Sequence, residues 1–280
     1  MDLSIIIVSW NVRDHLRDCL ASIYKYTTGL DYEVFVVDND SHDGSADMVA
    51  KDFQQTHLIR NKKNRGFGAA NNQALSRAKG RYILFLNDDT EIQDNILQRL
   101  VSKYDSETRN IGMIGCRLVN PDGSQQDSIR AFPTAFDQTA ILLKMHHIFP
   151  WLISGYMQKK FDYSKEQAVD QVMGAFMLMP KKLLDKFGSF DETFFAWFEE
   201  VDLQKRLQNE GYDVLYTPEV KCIHVKGASF KQLRKPKAQK IFNHSMRYYF
   251  KKNNSLLSYL WIAIVQPISI FFSYVTQILR

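Results

Sequence analysis

Three polar clusters close apolar runs in the first third of the chain: Ser9-Trp10-Asn11, Asp38-Asn39-Asp40 and Asn87-Asp88-Asp89. Carboxylates and amides in such number suit a hard divalent cation, sugar hydroxyls and the N–H groups of a base. Asp88 and Asp89 follow the run YILFL directly. Adjacent carboxylates repel and are costly to desolvate, so a cation is the expected partner of one of them. In an open parallel sheet ligands bind beyond the carboxyl ends of the strands. Three clusters at successive strand ends would converge on one rim and hold a nucleotide there. Asp38 would accept from a base N–H or a ribose hydroxyl, and Asp88 or Asp89 would hold the cation. A helix cap or a solvated loop explains any one cluster, but three in succession exceed that explanation.

The elements needed to build such a rim are legible. LSIIIVSW, YEVFVVD, HLIRN and RYILFL are short β-branched or aliphatic runs, read as strands buried on both faces. Helical spacing lies between them. It covers Asp14 to Tyr26, a stretch capped by Ser45 or Asp43 that ends near Phe53, and GFGAANNQALSRAKG with Gly80 as its stop. The alternation predicts an α/β fold with a mostly parallel, mixed sheet. Further strands are expected in IGMIGCRLV, VMGAFMLMP and YDVLYTPEVKCIH, and a helix in EEVDLQKRLQNEG closed by Gly211. Phe132 to Glu166 shows no clear period and reads as a substrate-facing insertion. There is no Walker loop and no GxGxxG after the first strand. NRGFG is a partial glycine loop that offers Arg65 and Gly66 to the same rim.

The 280 residues are 45% hydrophobic and 24% charged, ample for a large core, and a formal charge of +5 allows an anionic partner without requiring nucleic acid. Three widely spaced cysteines, Cys19, Cys116 and Cys222, are expected as buried free thiols rather than a disulfide frame or zinc site. The first residues lack a basic start and a long apolar run, so the expectation is a cytoplasmic chain. From Asn253 to Leu279 no residue is charged, Pro267 lies mid-run, and RYYFKK precedes it. Ser258, Gln266, Ser269, Ser273 and Gln277 fall near one helical face. Such a segment would lie on a membrane surface, on the cytoplasmic face of an inner membrane, or span the bilayer, for which it is long enough, or else pack on the domain or a homodimer partner.

SIIIVSWN, VVDNDSHDGS, NRGFGAANN, YILFLNDDTEI, VMGAFMLMP, FFAWFEEVDLQKRL and IHVKGAS occur in this order. Together they resemble family 2 glycosyltransferases of the GT-A fold, especially the bacterial rhamnosyltransferase-like members, over Leu3 to about Lys251. The resemblance implies a Rossmann-like nucleotide-sugar-binding half (1–100), an acceptor and catalytic half (101–250) and C-terminal helices (251–280). It implies that Asp38 contacts the base. Ser9, Asn11, Asn39, Asp40, Arg65, Gly66, Asn87 and Asp88 would surround the nucleotide sugar. The family's DXD-type metal site corresponds to Asn87-Asp88-Asp89, which leaves Asp89 as the main ligand of Mg2+ or Mn2+, with His224 joining the metal or the diphosphate. The family's catalytic acidic pair corresponds to Glu199-Glu200, with Glu200 as general base and Glu199 the alternative. Gly174, Ala175, Trp197 and Asp202 would line the acceptor side, although Asp202 and Arg206 are also spaced to pair across one helical turn. Lys226, Lys231, Arg234, Lys235 and Lys237 form a basic run for a solvated face or a phosphate.

The implied reaction is inverting transfer of rhamnose or another hexose from a dTDP- or UDP-linked donor to a hydroxyl of a glycan or polyprenyl-diphosphate-linked acceptor, in cell-surface polysaccharide synthesis. The competing expectation is a non-catalytic sugar-nucleotide or glycan-binding scaffold. A nucleotidyltransferase would need a basic glycine-rich loop after the first strand, which SWNVRDHL does not supply.

Overall fold

A computed structural model describes residues 1–225, 227, 232 and 234–278. The predicted alternation folds as β1 (Leu3–Ser9), α1 (Arg13–Tyr26), β2 (Tyr32–Asp38), α2 (Ser45–Asp52), β3 (His57–Arg60), α3 (Phe67–Leu75) and β4 (Tyr82–Asn87). It continues through β5 (Thr90–Ile92), α4 (Ile96–Ser106), β6 (Ile111–Val119), β7 (Ile129–Arg130), α5 (Ala135–Leu142), β8 (Gln167–Val169) and β9 (Gln171–Val172). The last elements are β10 (Phe176–Pro180), α6 (Lys181–Phe187), α7 (Glu199–Asn209), β11 (Asp213–His224), α8 (Lys235–Asn253) and α9 (Leu256–Ile278).

The main sheet has the order β3-β2-β1-β4-β10-β6-β11-β5, with β8 added on β11. β1 lies between β2 and β4, parallel to both. β10 enters antiparallel between β4 and β6. The central strands are mostly apolar because both faces are covered. Ile5, Ile7, Val36, Leu84 and Leu86 join α1 and α4 in one core. Ile6, Phe35, Val37, Ile83 and Phe85 alternate with them and meet α3, α6 and α7 in another. Burying each such side chain contributes about 1.5–3 kcal/mol, which makes a one-residue slip of register prohibitive. That register sets Ser9 opposite Asp38 and Val8 opposite Asn87, so the three polar clusters do lie side by side. Cys19, Cys116 and Cys222 are buried free thiols, as expected.

Several local expectations are corrected. α3 stops at Leu75, and Gly80 is not its cap. Gly80 lies so close to the Ser4 backbone that a Cβ would collide with it. Gly44, in the left-handed region, is the N-cap of α2, while Asp43 accepts from the Ser45 N–H (3.0 Å) and Arg13 N–H (2.8 Å). Within 132–166, Thr134 and Asp137 form a capping box that starts α5. The short β5, antiparallel to the end of β11, was not anticipated. A boundary at residue 250 falls inside α8, which runs on to Asn253.

α8 and α9 form a helical hairpin. Its packing inverts the usual pattern of a surface helix. Gln266, Ser269 and Ser273 of α9 are buried, and Gln266 Nε2 donates to the Asn243 carbonyl (2.7 Å) while Asn243 Nδ2 donates to Ser269 Oγ (2.9 Å). Most of the expected polar stripe therefore packs on the chain itself, although Gln277 is exposed. The exposed face carries Leu256, Leu257, Leu260, Trp261, Ile264, Ile268 and Phe271. Trp261 Nε1 donates to Thr139 Oγ1 of α5 (2.8 Å), and beyond α5 Ile148 and Trp151 are also exposed.

Candidate active site

The strand ends line one cavity. Val8, Trp10, Asn39, Asn64, Gly66, Phe67, Asn87, Asp88, Asp89, Phe195, Ala196, Gly227, Lys237 and Ile241 form its wall. Asn39 is less a ligand than an organiser. Its Nδ2 donates to Asn64 Oδ1 (3.0 Å) and the Gly66 carbonyl (3.1 Å), and its Oδ1 accepts from the Arg65 N–H (2.9 Å) and Asn61 Nδ2 (3.1 Å). The glycine loop is thereby pinned to the end of β2. The Arg65 side chain is exposed. Gly66 has φ +84°, and a Cβ there would run into the Phe195 carbonyl.

Asp38 is buried, with one carboxyl oxygen accepting from the Ser41 N–H (3.2 Å) and the other lacking a hydrogen-bond partner among the described residues. A buried acceptor left open in this way suits a ligand donor. Asn11 and Asp40 take positive φ at their strand ends, a conformation that Asn and Asp tolerate better than most residues. Asn11 Oδ1 accepts from the His42 N–H (2.7 Å), so it ties two loops together. Ser9 is fully buried. Its hydroxyl and the Trp10 N–H favour the charged form of Asp88. Burial and the neighbouring Asp89 outweigh them and push Asp88 well above the usual carboxylate range. Asp89 is also buried, and its Oδ1 lies 3.2 Å from His224 Nε2. β5 and β11 create that approach, pairing Thr90 with His224, and the Val225 N–H donates to the Asp89 carbonyl (2.9 Å).

Glu200 opens on a second cavity, walled by Arg130, Tyr156, Met173, Trp197, Phe198 and Phe242 among others. Burial raises its pKa. Glu199 is buried against it, and burial together with the Glu200 charge pushes its pKa well up. Trp197 and Phe198 both have positive φ, rare for aromatic residues, and this strained step turns the chain into α7. The two cavities share walls. Phe195 and Ala196 face the first, Trp197, Phe198 and Glu200 the second. On α8, Lys237 and Ile241 face the first and Phe242 the second. Gly174-Ala175 bridges them, since Ala175 accepts from the Asn87 N–H (3.0 Å) and the bare Cα of Gly174 lies against the Glu200 side chain.

The chain matches glycosyl transferase family 2 over residues 4–187. It belongs to that family. Its activity class is therefore that of a glycosyltransferase. An N-acetylglucosaminyl-diphospho-decaprenol L-rhamnosyltransferase of Mycobacterium tuberculosis is 25% identical over 261 residues, 89% of this chain and 83% of that protein. The O-antigen biosynthesis protein RfbC of Myxococcus xanthus is 28% identical over 232 residues, 81% of this chain but 17% of that protein. A mannosyltransferase of Pyrobaculum calidifontis, solved with GDP-Man and Mn2+, aligns with a TM-score of 0.60 at 16% identity, over 98% of this chain and 73% of that one. GalNAc-T7, solved with UDP, GalNAc and Mn2+, aligns at 0.62 with 15% identity, over 89% of this chain and 47% of that one. These likenesses show the GT-A fold.

Not every expected residue of this glycosyltransferase faces a cavity. Asp202 is fully buried and holds Arg206 Nε (3.0 Å), Lys252 Nζ (2.9 Å) and Asn253 Nδ2 (3.0 Å). It joins α7 to α8 instead of lining the acceptor side, because α8 covers the face of α7 that the sequence leaves unassigned. Of the basic run, Lys226 and Lys231 lie outside the described residues, while Lys237 reaches the first cavity. Asn64, Asn61 and Gln126 were missed. Their amides act through neighbours brought close only by the tertiary fold, and nothing in their local sequence marks them.

Proposed function

We propose that this glycosyltransferase inverts the anomeric centre while moving a hexose from a nucleoside-diphosphate donor to a hydroxyl of a glycan or polyprenyl-diphosphate-linked acceptor, in cell-surface polysaccharide synthesis. The observation that carries the reading is the pair of adjoining cavities. One is lined by Asp88 and Asp89 at the end of β4 and the other by Glu200, with residues 195–198 running along both. The relatives in envelope glycan synthesis support the substrate class.

In this mechanism Asp38 accepts from the base, and the Asn39-pinned loop lines the donor cavity. Glu200 takes the proton of the acceptor hydroxyl. The hydroxyl oxygen bonds to the anomeric carbon from the side opposite the diphosphate, and the bond to the diphosphate oxygen breaks. Glu200 suits the task because burial raises its proton affinity toward the working pH. Trp197 and Phe198 wall the acceptor and keep water out.

Asp89 lines the first cavity and its Oδ1 lies 3.2 Å from His224 Nε2, a carboxylate and an imidazole nitrogen that would together hold a divalent cation. Among the described residues no third His, Cys, Asp or Glu completes the set. When bound, Mg2+ or Mn2+ neutralises the charge that builds on the leaving diphosphate.

The apolar outer face of α9 suits the interface of a membrane, where a lipid-linked acceptor would be found. The basic residues Arg247 and Lys251 precede it, which supports a cytoplasmic, peripheral location. A donor screen tests the function. Thermal stabilisation by dTDP- or UDP-hexoses, strengthened by Mn2+, is expected. No stabilisation by any nucleoside-diphosphate sugar would contradict it.

A further inference from the structure

We propose that Gln126 is a positioning residue that holds His224 in the tautomer with its proton on Nδ1, presenting the Nε2 lone pair beside Asp89 to a divalent cation. The inference rests on the metal role proposed above, but the tautomer follows from hydrogen-bond geometry alone.

The chain of bonds starts at the exposed turn Asn120–Ser124, closed by the Gly123 N–H donating to the Asn120 carbonyl (2.8 Å) with Gly123 at φ +83°. An ionised carboxylate only accepts. Ser124 Oγ lies 2.6 Å from Asp122 Oδ1, so the hydroxyl proton points at Asp122. Ser124 Oγ must then accept from Asn120 Nδ2 (2.8 Å). That turns Asn120 Oδ1 toward Gln126, whose Nε2 donates to it (2.9 Å) and to the His224 carbonyl (3.1 Å). Both amide protons of Gln126 are now used. Its Oε1 faces His224 Nδ1 at 2.7 Å and has no proton to give, so Nδ1 is the donor.

A neutral imidazole carries one ring proton, which leaves Nε2 bare. Nε2 is buried, without a hydrogen-bond partner among the described residues, and points at Asp89 Oδ1. Two electron-pair donors face each other at 3.2 Å, an arrangement that favours a positive charge held by both. The fold holds this orientation firmly. Gln126 is buried, its N–H donates to the Leu118 carbonyl (3.1 Å), and β6 pairs with β11 through Leu118–Cys222 and Val119–Ile223. Outer partners of this kind fix the tautomer and direction of metal-binding histidines, and their loss weakens metal affinity about 10–100-fold.

The test combines two readouts on the full chain. Long-range 1H–15N spectra of histidine-labelled, metal-free protein are recorded well above the ordinary imidazole pKa of about 6.5. His224 is assigned by its loss in a His224→Asn variant. The wild type is expected to show the Nδ1–H tautomer, and Gln126→Leu to lose that fixed pattern. Mn2+ binding, followed by electron paramagnetic resonance with UDP or dTDP present, is expected to weaken about 10–100-fold in Gln126→Leu. An Nε2–H tautomer in the wild type overturns the inference, and that spectrum decides even if the variant fails to fold. Equal Mn2+ affinity in folded Gln126→Leu overturns the positioning role while the metal reading stands. If wild-type protein with nucleotide binds no Mn2+, the metal reading fails and the inference falls with it.

Discussion

The Phe195 carbonyl accepts the Phe67 N–H at 2.9 Å and occupies the space where a side chain on Gly66 would begin. The glycine loop and the aromatic segment before α7 are thus locked together by backbone contact. Gly66→Ala must displace one of them and also hold alanine at φ +84°. Destabilisation of about 1–3 kcal/mol is expected, with donor affinity lost more than acceptor affinity. Denaturant melts and donor titrations check both parts.

Asn39 anchors the same loop from below. Asn39→Ala removes four hydrogen bonds and leaves the Arg65 N–H and the Gly66 carbonyl without partners inside the fold. Each abandoned group costs about 1–3 kcal/mol where water cannot reach it. Calorimetry should show weaker donor binding, with the maximal transfer rate changed much less.

Asp202 separates a structural acid from those proposed to act in transfer. Asp202→Asn leaves Arg206 and Lys252 without their shared carboxylate, and charged hydrogen bonds of this kind are worth about 1.5–3 kcal/mol. Lower thermal stability with an unchanged acceptor KM is expected. A raised acceptor KM at unchanged stability would restore Asp202 to the acceptor side.

The buried acidic pair gives stability a pH dependence of known sign. Burial and Glu200 raise the pKa of Glu199, so the folded state keeps a proton that the unfolded chain sheds above about pH 4.3. This group's contribution to stability therefore falls as pH rises from there through its folded pKa. Glu199→Gln should be more stable than wild type at neutral pH and show a shallower decline. Urea midpoints across the range measure it.

The central strands were legible because burial on both faces demands continuous apolar runs, as in LSIIIVS and YILFLN. Asp38, Asp88 and Asp89 stood out because acids at the ends of such runs need a reason, whereas Glu200 was marked only by the family resemblance. Asn64 and Gln126 did not, since an amide in a loop is ordinary until the fold shows what it holds, and Asn39, expected beside the nucleotide sugar, gave no sign of its hold on the glycine loop. Asp202 misled for the converse reason: an acid near the site was read as functional when Lys252, fifty residues on, was its partner. The α9 stripe was visible as a pattern, but only its packing on Asn243 shows that the polar side faces inward.

The most direct measurement of the central claim is acceptor-dependent release of nucleoside diphosphate from the donor that stabilises the protein, compared between wild type and Glu200→Gln. A general base contributes about 10²–10⁴-fold, so the account predicts a loss of that size in kcat with donor affinity retained. Turnover by folded Glu200→Gln at the wild-type rate would contradict it.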